Sequence, residues 1–123
     1  MVVHAQPMLY SADLKACTAM SALDSDHVTA AFVQALENAG ATVVQSLSHN
    51  FPGTGLTCVL ILAESHAVLH TWPETGTVNI DIFSCSPRLK SLAAITELGH
   101  SFGASAVSVQ EIPRADGHSP RSE

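Results

Sequence analysis

The sequence predicts an α+β fold, a two-layer sandwich in which an antiparallel sheet carries two helices on one face, in β-α-β-β-β-β-α-β order. Three observations predict it. Two stretches place apolar residues at helical spacing and end on a glycine. Six others are short, β-rich or alternating runs. The central runs are joined by connections too short for the crossover that a parallel pair requires, so neighbouring strands form hairpins.

Met8 to Cys17 alternates weakly and reads as a first strand. Asp24 and Ser25 then offer N-caps to a helix whose Val28, Ala31, Phe32, Ala35 and Leu36 share one face, with Gly40 as its terminal glycine. Ala41 to Ser48 reads as a strand. Asn50-Phe51-Pro52-Gly53-Thr54-Gly55 is a glycine-rich loop, too short and too poor in basic residues for a phosphate loop, and reads as a plain turn. Leu56 to Ala63 is an apolar central strand, Ala67 to Trp72 is another, and Pro73 to Gly76 turns the chain into Thr77–Cys85. After Pro87 comes a second helix, with Leu89, Leu92, Ile95, Leu98 and Phe102 as its buried face and Gly103 as its stop. Ala104 to Ile112 alternates as the last strand, and the polar segment from Pro113 to Glu123 is expected to be a loose tail. With no repeat and no internal linker, residues 1–123 form a single domain. Helices on one face leave the opposite sheet face uncovered, which makes a homodimer the expected unit.

Composition narrows the partners. Hydrophobic residues make up 46% of the 123, enough for a core, and five basic against eleven acidic residues give a formal charge of −6. There is no basic patch, so neither nucleic acid nor an anionic membrane is expected as a partner. Three cysteines do not describe a disulfide framework and suit a reducing, cytoplasmic location. Met1 to Pro7 lacks the basic and apolar regions of a signal peptide, and the longest apolar run, Val59 to Ala63, is far too short to span a bilayer.

Chemistry concentrates in Ala63 to Gly76, which holds the only Trp and two of the seven His, and in the run that follows and ends at Cys85. Bland roles exist for every residue there. Ser65 can be a strand-end serine, His66 and His70 ring donors, Trp72 and Phe83 core, and Cys85 a small buried hydrophobe. His66, His70, Cys58 and Cys85 are metal-ligand types, but paired-cysteine spacing is missing and no metal is expected. A hydrolase elbow of the Gly-x-Ser-x-Gly kind is also missing. What remains is a Ser, a His and a Cys linked by a short turn, sufficient for nucleophilic and proton-transfer chemistry.

The run Glu64-Ser65-His66, followed by His70-Thr71-Trp72-Pro73-Glu74 and then Asp81-Ile82-Phe83-x-Cys85, closely resembles the bacterial and archaeal S-adenosylmethionine decarboxylase family, small proenzymes that make their own pyruvoyl group. The likeness is dense from Phe51 to Cys85. It implies that the chain cleaves itself between Glu64 and Ser65 into 1–64 and 65–123, and that Ser65 becomes the pyruvoyl group. It implies further that His70 assists processing and that Cys85 is the acid protonating the decarboxylated carbon. Thr57 stands where the family has a serine assisting processing, Glu74 matches a carboxylate holding the ribose hydroxyls, and Phe51 matches an aromatic that stacks on adenine. The chain departs from the family in its first strand, where Gln6-Pro7-Met8-Leu9 replaces a Gly-x-His, and at Thr75, Thr77 and Asn79. Those departures leave ornithine or arginine as alternative substrates; a further alternative, of a different class, is a non-catalytic binding homologue that never processes, against which the intact Glu64, Ser65, His70 and Cys85 speak.

Physical chemistry is consistent with the implied roles. Amino-acid decarboxylation needs an electron sink. A pyridoxal-type cofactor needs an anchoring lysine and a phosphate site, and the two lysines, Lys15 and Lys90, lie away from the motif. A ketone made from the backbone needs neither. Alternation along a strand puts Ser65 and His70 on opposite faces, so a bend or bulge near Glu64–Ser65 is expected to reunite them. His70 and Cys85 meet only if the register through the Pro73–Gly76 turn allows it.

Overall fold

The computed structural model describes residues 6–19, 24–63 and 65–117. Eight elements follow one another: β1 (Met8–Lys15), α1 (Ser25–Asn38), β2 (Val43–Asn50), β3 (Leu56–Leu62), β4 (Ser65–Trp72), β5 (Thr77–Ser84), α2 (Ser91–Phe102) and β6 (Ala106–Pro113). The strands form one sheet in the order β2-β3-β4-β5-β1-β6, and every neighbouring pair is antiparallel. This is the α+β sandwich expected from the pattern. Of the expected features, Glu64 and residues 118–123 of the tail lie outside the described residues.

Both helices lie on one face because their stripes and the sheet's alternate residues are apolar together. Phe32 and Leu36 of α1 and Ile95, Leu98 and Phe102 of α2 pack with Leu14, Leu60, Leu69, Ile80 and Ile82 from the strands. Each of these side chains is fully or almost fully removed from water. The α2 stripe differs from expectation at one position. The helix begins at Ser91, after a buried Leu89, so Ser91 takes the inward place and Leu92 points outward, 47% exposed. An inward set at 91, 94, 95, 98 and 102 follows the 3.6-residue period, and Leu92 falls off it.

Chain reversals are set by local chemistry. Gly103 ends α2 at φ 67°, and a Cβ there would stand 2.5 Å from Thr18 Oγ1. In β2 a bulge between Val43 and Gln45 turns Val44 outward. At the other end of the sheet, Arg114 N donates to Pro7 O at 2.9 Å and extends the pairing of β6 with β1 by one step.

Asp24 caps α1. Its carboxylate accepts the His27 amide at 2.9 Å and lies 2.8 Å from His27 Nδ1. The amide bond first, then the ring, hold this carboxyl below the usual carboxylate range. A lowered folded-state pKa gives stability that is present above the unfolded value of about 3.9 and disappears as pH falls through the folded value. Asp24→Ala should therefore lower the melting temperature at pH 7, and the gap from wild type should narrow as melts are repeated at progressively more acid pH. An unchanged gap down to pH 2 would show that the carboxylate is not what the cap supplies.

Candidate active site

The register of β4 decides where each chemical group stands. It pairs with β3 from Leu62↔Ser65 to Thr57↔His70, and with β5 from His66↔Phe83 to Trp72↔Thr77, without a shift. The inward positions Ala67, Leu69 and Thr71 are buried under the helices, and Ser65 shares their parity. His66, Val68, His70 and Trp72 face the open side. The bulge expected near Glu64–Ser65 is absent from the described residues. Ser65 and His70 thus have opposite parity and stand about 16 Å apart along the strand, at ~3.3 Å per residue.

Two clusters result. The first lies where β4 begins. Ser65 is half-buried, and its Oγ accepts the Cys85 amide at 3.1 Å, so the serine and the cysteine meet although 20 residues separate them. Cys17 and Cys58 are buried, whereas Cys85 is only half-buried; burial pushes the Cys17 thiol up. A cavity of about 400 Å³ opens beside Ser65, with Thr42, Ala63 and Ser86 in its wall and Arg88 as the lining cation among the described residues. On the open face next to it, the His66 ring stacks on Phe83 at 5.3 Å, and the Arg114 guanidinium lies 5.8 Å from the same Phe83 ring.

The second cluster lies where β4 ends. Thr57 Oγ1 and His70 Nδ1 are 2.6 Å apart. The His70 ring is held between Phe51, at 5.5 Å between centroids, and Trp72, at 4.5 Å. His49 meets the Phe51 ring edge-to-face at 4.8 Å. Glu74 accepts from Thr54 Oγ1 at 3.2 Å, which ties the β4–β5 turn to the loop carrying Phe51. Thr57, His70, Phe51 and Glu74 are thus gathered as a group, away from Ser65 and Cys85. His70 faces Asn79, and Cys85 lies six residues further on, just past the end of β5, so His70 and Cys85 do not meet within one chain.

The open face also shows three residues that sequence reasoning passed over, His49, Asp13 and Ser108, aligned with three that it named. Across all six strands, His49, Thr57, His70, Asn79, Asp13 and Ser108 lie in one transverse row. Asn79 Nδ2 donates to Asp13 Oδ1 at 2.8 Å, and the indole of Trp72 donates to Asn79 Oδ1 at 2.6 Å. Trp72, read as core from its type, is 44% exposed. The signal was available in the parity: Asp13 and Asn79 fall on outward positions of their strands. Among the described residues no group of three or more His, Cys, Asp or Glu could hold a metal ion. No helix among them is long and apolar enough to cross a membrane.

Comparison with known proteins adds a name to this arrangement. A family model described as S-adenosylmethionine decarboxylase matches residues 8–115. A protein of Acidithiobacillus ferrooxidans called S-adenosylmethionine decarboxylase proenzyme is 37% identical over 103 residues, covering 84% of this chain and 77% of its own length. One from Halalkalibacterium halodurans, called S-adenosylmethionine decarboxylase proenzyme 2, is 33% identical over 106 residues, covering 86% and 84%. The crystal structure of the adenosylmethionine decarboxylase of Aquifex aeolicus superposes with a TM-score of 0.80 over 98% of this chain and all of that one; at 23% identity it speaks for the fold alone. With the family model spanning all six strands and both helices, the chain belongs to the S-adenosylmethionine decarboxylase family and is a carboxy-lyase.

Proposed function

We propose that the chain is a self-processing, pyruvoyl-dependent S-adenosylmethionine decarboxylase that works as a cytoplasmic homodimer and supplies the aminopropyl donor for spermidine synthesis. The observation that carries this reading is the contact between Ser65 Oγ and the Cys85 amide, which joins the cleavage serine to the backbone of the cysteine read as the acid, at the start of β4. A pyruvoyl ketone at residue 65 supplies the electron sink that amino-acid decarboxylation requires. The residues present fit such a group: the serine is half-buried, a thiol residue is its neighbour, and a cavity adjoins it.

Processing is chemistry of the chain itself. Ser65 Oγ attacks the Glu64 carbonyl, and the amide becomes an ester. A base removes the Ser65 α-proton, the C–O bond breaks, and Glu64 departs as a carboxylate. The enamine left at residue 65 takes up water and loses ammonia. An imidazole, which accepts a proton at one ring nitrogen while the other is hydrogen-bonded, suits the base. His70, with its Nδ1 on the Thr57 hydroxyl, is that base in this reading. In catalysis Cys85 holds the proton destined for the substrate's former α-carbon, while Phe51 offers a ring face to adenine and Glu74 a carboxylate to the ribose hydroxyls.

The separation of the two clusters supports the dimer. His70 and Ser65 cannot react across about 16 Å of strand. A two-fold axis through the open sheet face lays the His70 end of one copy on the Ser65 end of the other and assembles two complete sites. The same contact covers Leu47 and Ile61, which are otherwise 58% and 41% exposed, with the rings of Phe83 and Trp72.

Four outcomes test the reading. Intact mass should show one fragment ending at Glu64 and one starting with pyruvoyl, and Ser65→Ala should give a single inactive chain; an active protein of one intact mass refutes self-cleavage. Chains carrying Ser65→Ala and chains carrying His70→Ala should each stay uncleaved alone. Co-expressed, they should cleave part of the His70→Ala chains, because a mixed dimer keeps one complete site. No cleavage in the mixture, despite mixed dimers on a sizing column, argues for sites within single chains. Finally, Cys85→Ser should still process while decarboxylation falls by roughly 10²–10⁴-fold, the scale of general acid catalysis. Turnover at the wild-type rate would make Cys85 a packing residue. Assay with S-adenosylmethionine, ornithine and arginine side by side fixes the substrate.

A further inference from the structure

We propose that Asn79 is a positioning residue for His70, acting through Trp72, with Asp13 setting the direction of its amide; the inference rests on the processing role given to His70 above. Asn79 is an amide in a strand whose neighbouring residues, Val78 and Ile80, are both buried. It stands directly across from His70 on β4 and from Asp13 on β1. Its two hydrogen bonds are chemically ordered. An ionised carboxylate only accepts and an indole N–H only donates. The Asn79 amide can therefore satisfy both neighbours in one orientation alone, Nδ2 toward Asp13 at 2.8 Å and Oδ1 toward Trp72 at 2.6 Å.

The consequence reaches His70. Trp72 is 44% exposed, so packing alone does not fix its ring. The bond to Asn79 does, and the fixed indole forms one wall of His70 at 4.5 Å. Phe51 forms the other wall at 5.5 Å, and Thr57 holds Nδ1 at 2.6 Å. Three of the ring's surroundings are thereby set, one of them at the far end of a file that begins on β1. Without Asn79 the indole loses its acceptor, swings, and leaves His70 held by Thr57 and Phe51 only.

Because the chain has a single Trp, its indole N–H gives one resonance in a ¹H–¹⁵N spectrum, and the His70 ring protons are identified by their loss in His70→Gln. Asn79→Asp sets two carboxylates against each other at the former contact, which repels across the strand pair. Both sets of resonances should shift, and self-cleavage should slow roughly tenfold, as small misplacements of a reacting group do. The exchange Asp13→Asn with Asn79→Asp rebuilds both bonds, since an amide at 13 donates to a carboxylate at 79 that still accepts from the indole. This double variant should return the resonances and bring the cleavage rate to within about threefold of wild type, the rescue separating positioning from general stability. If Asn79→Asp does not fold, Asn79→Ala serves in its place against the same double variant. His70 ring signals that do not respond to loss of Asn79, or an exchange that fails to restore them, overturn the proposal. A wild-type chain that stays uncleaved counts against the reading of the site instead, since the resonances report His70 whether or not cleavage occurs.

Discussion

Unbroken period-two alternation along β4 is the constraint on which the molecule depends. Its inward positions must be apolar to lie under α1 and α2, and Ala67 and Leu69 are wholly buried there. Its outward positions are then released from packing and carry His66, His70 and Trp72. A one-residue slip would exchange the two sets, put imidazoles under the helices and expose the core. Chemistry and core are thus held in register by the same hydrogen-bonded ladder, with β3 and β5 flanking β4 on either side.

Much of this was legible from the chain because two signals agreed. Phe32, Leu36, Ile95 and Leu98 repeat at helical spacing, Leu56, Cys58, Leu60 and Leu62 at strand spacing, and glycine or proline punctuates the joins. Leu92 failed because two neighbouring stripes compete when a helix start is placed a turn too early; the small Ser91 fills the inward place that a leucine was expected to hold. Trp72 failed because residue type outweighed parity: a tryptophan reads as core, although it stands two residues after His70 on the open face.

The site was legible as a set of residues and not as a geometry. Ser65, His70 and Cys85 could be picked out, and alternation already warned that the first two face apart. Where the strands pair is a property of both partners and of the turn between them, and no single run contains it. The register brought Ser65 to Cys85 and carried His70 to Thr57 and Phe51 instead. Asp13 was invisible for the same reason. An acidic residue in a weakly alternating first strand has no meaning until β1 is known to lie beside β5, which pairs Asp13 with Asn79, 66 positions away in the chain.

The strand order has a consequence for a chain that is cut. Severing the link between β3 and β4 leaves β1, α1, β2 and β3 on one piece and β4, β5, α2 and β6 on the other. In the sheet those pieces alternate: β2 and β3 from the first, β4 and β5 from the second, β1 from the first, β6 from the second. One strand of the earlier piece is threaded between two of the later one, and the two helices, one from each piece, pack together above them. Separating the pieces means opening three ladders at once and exposing the shared core, which amounts to unfolding. The peptide bond at that junction is therefore dispensable to the architecture, and a new chain terminus can be made there without the protein coming apart.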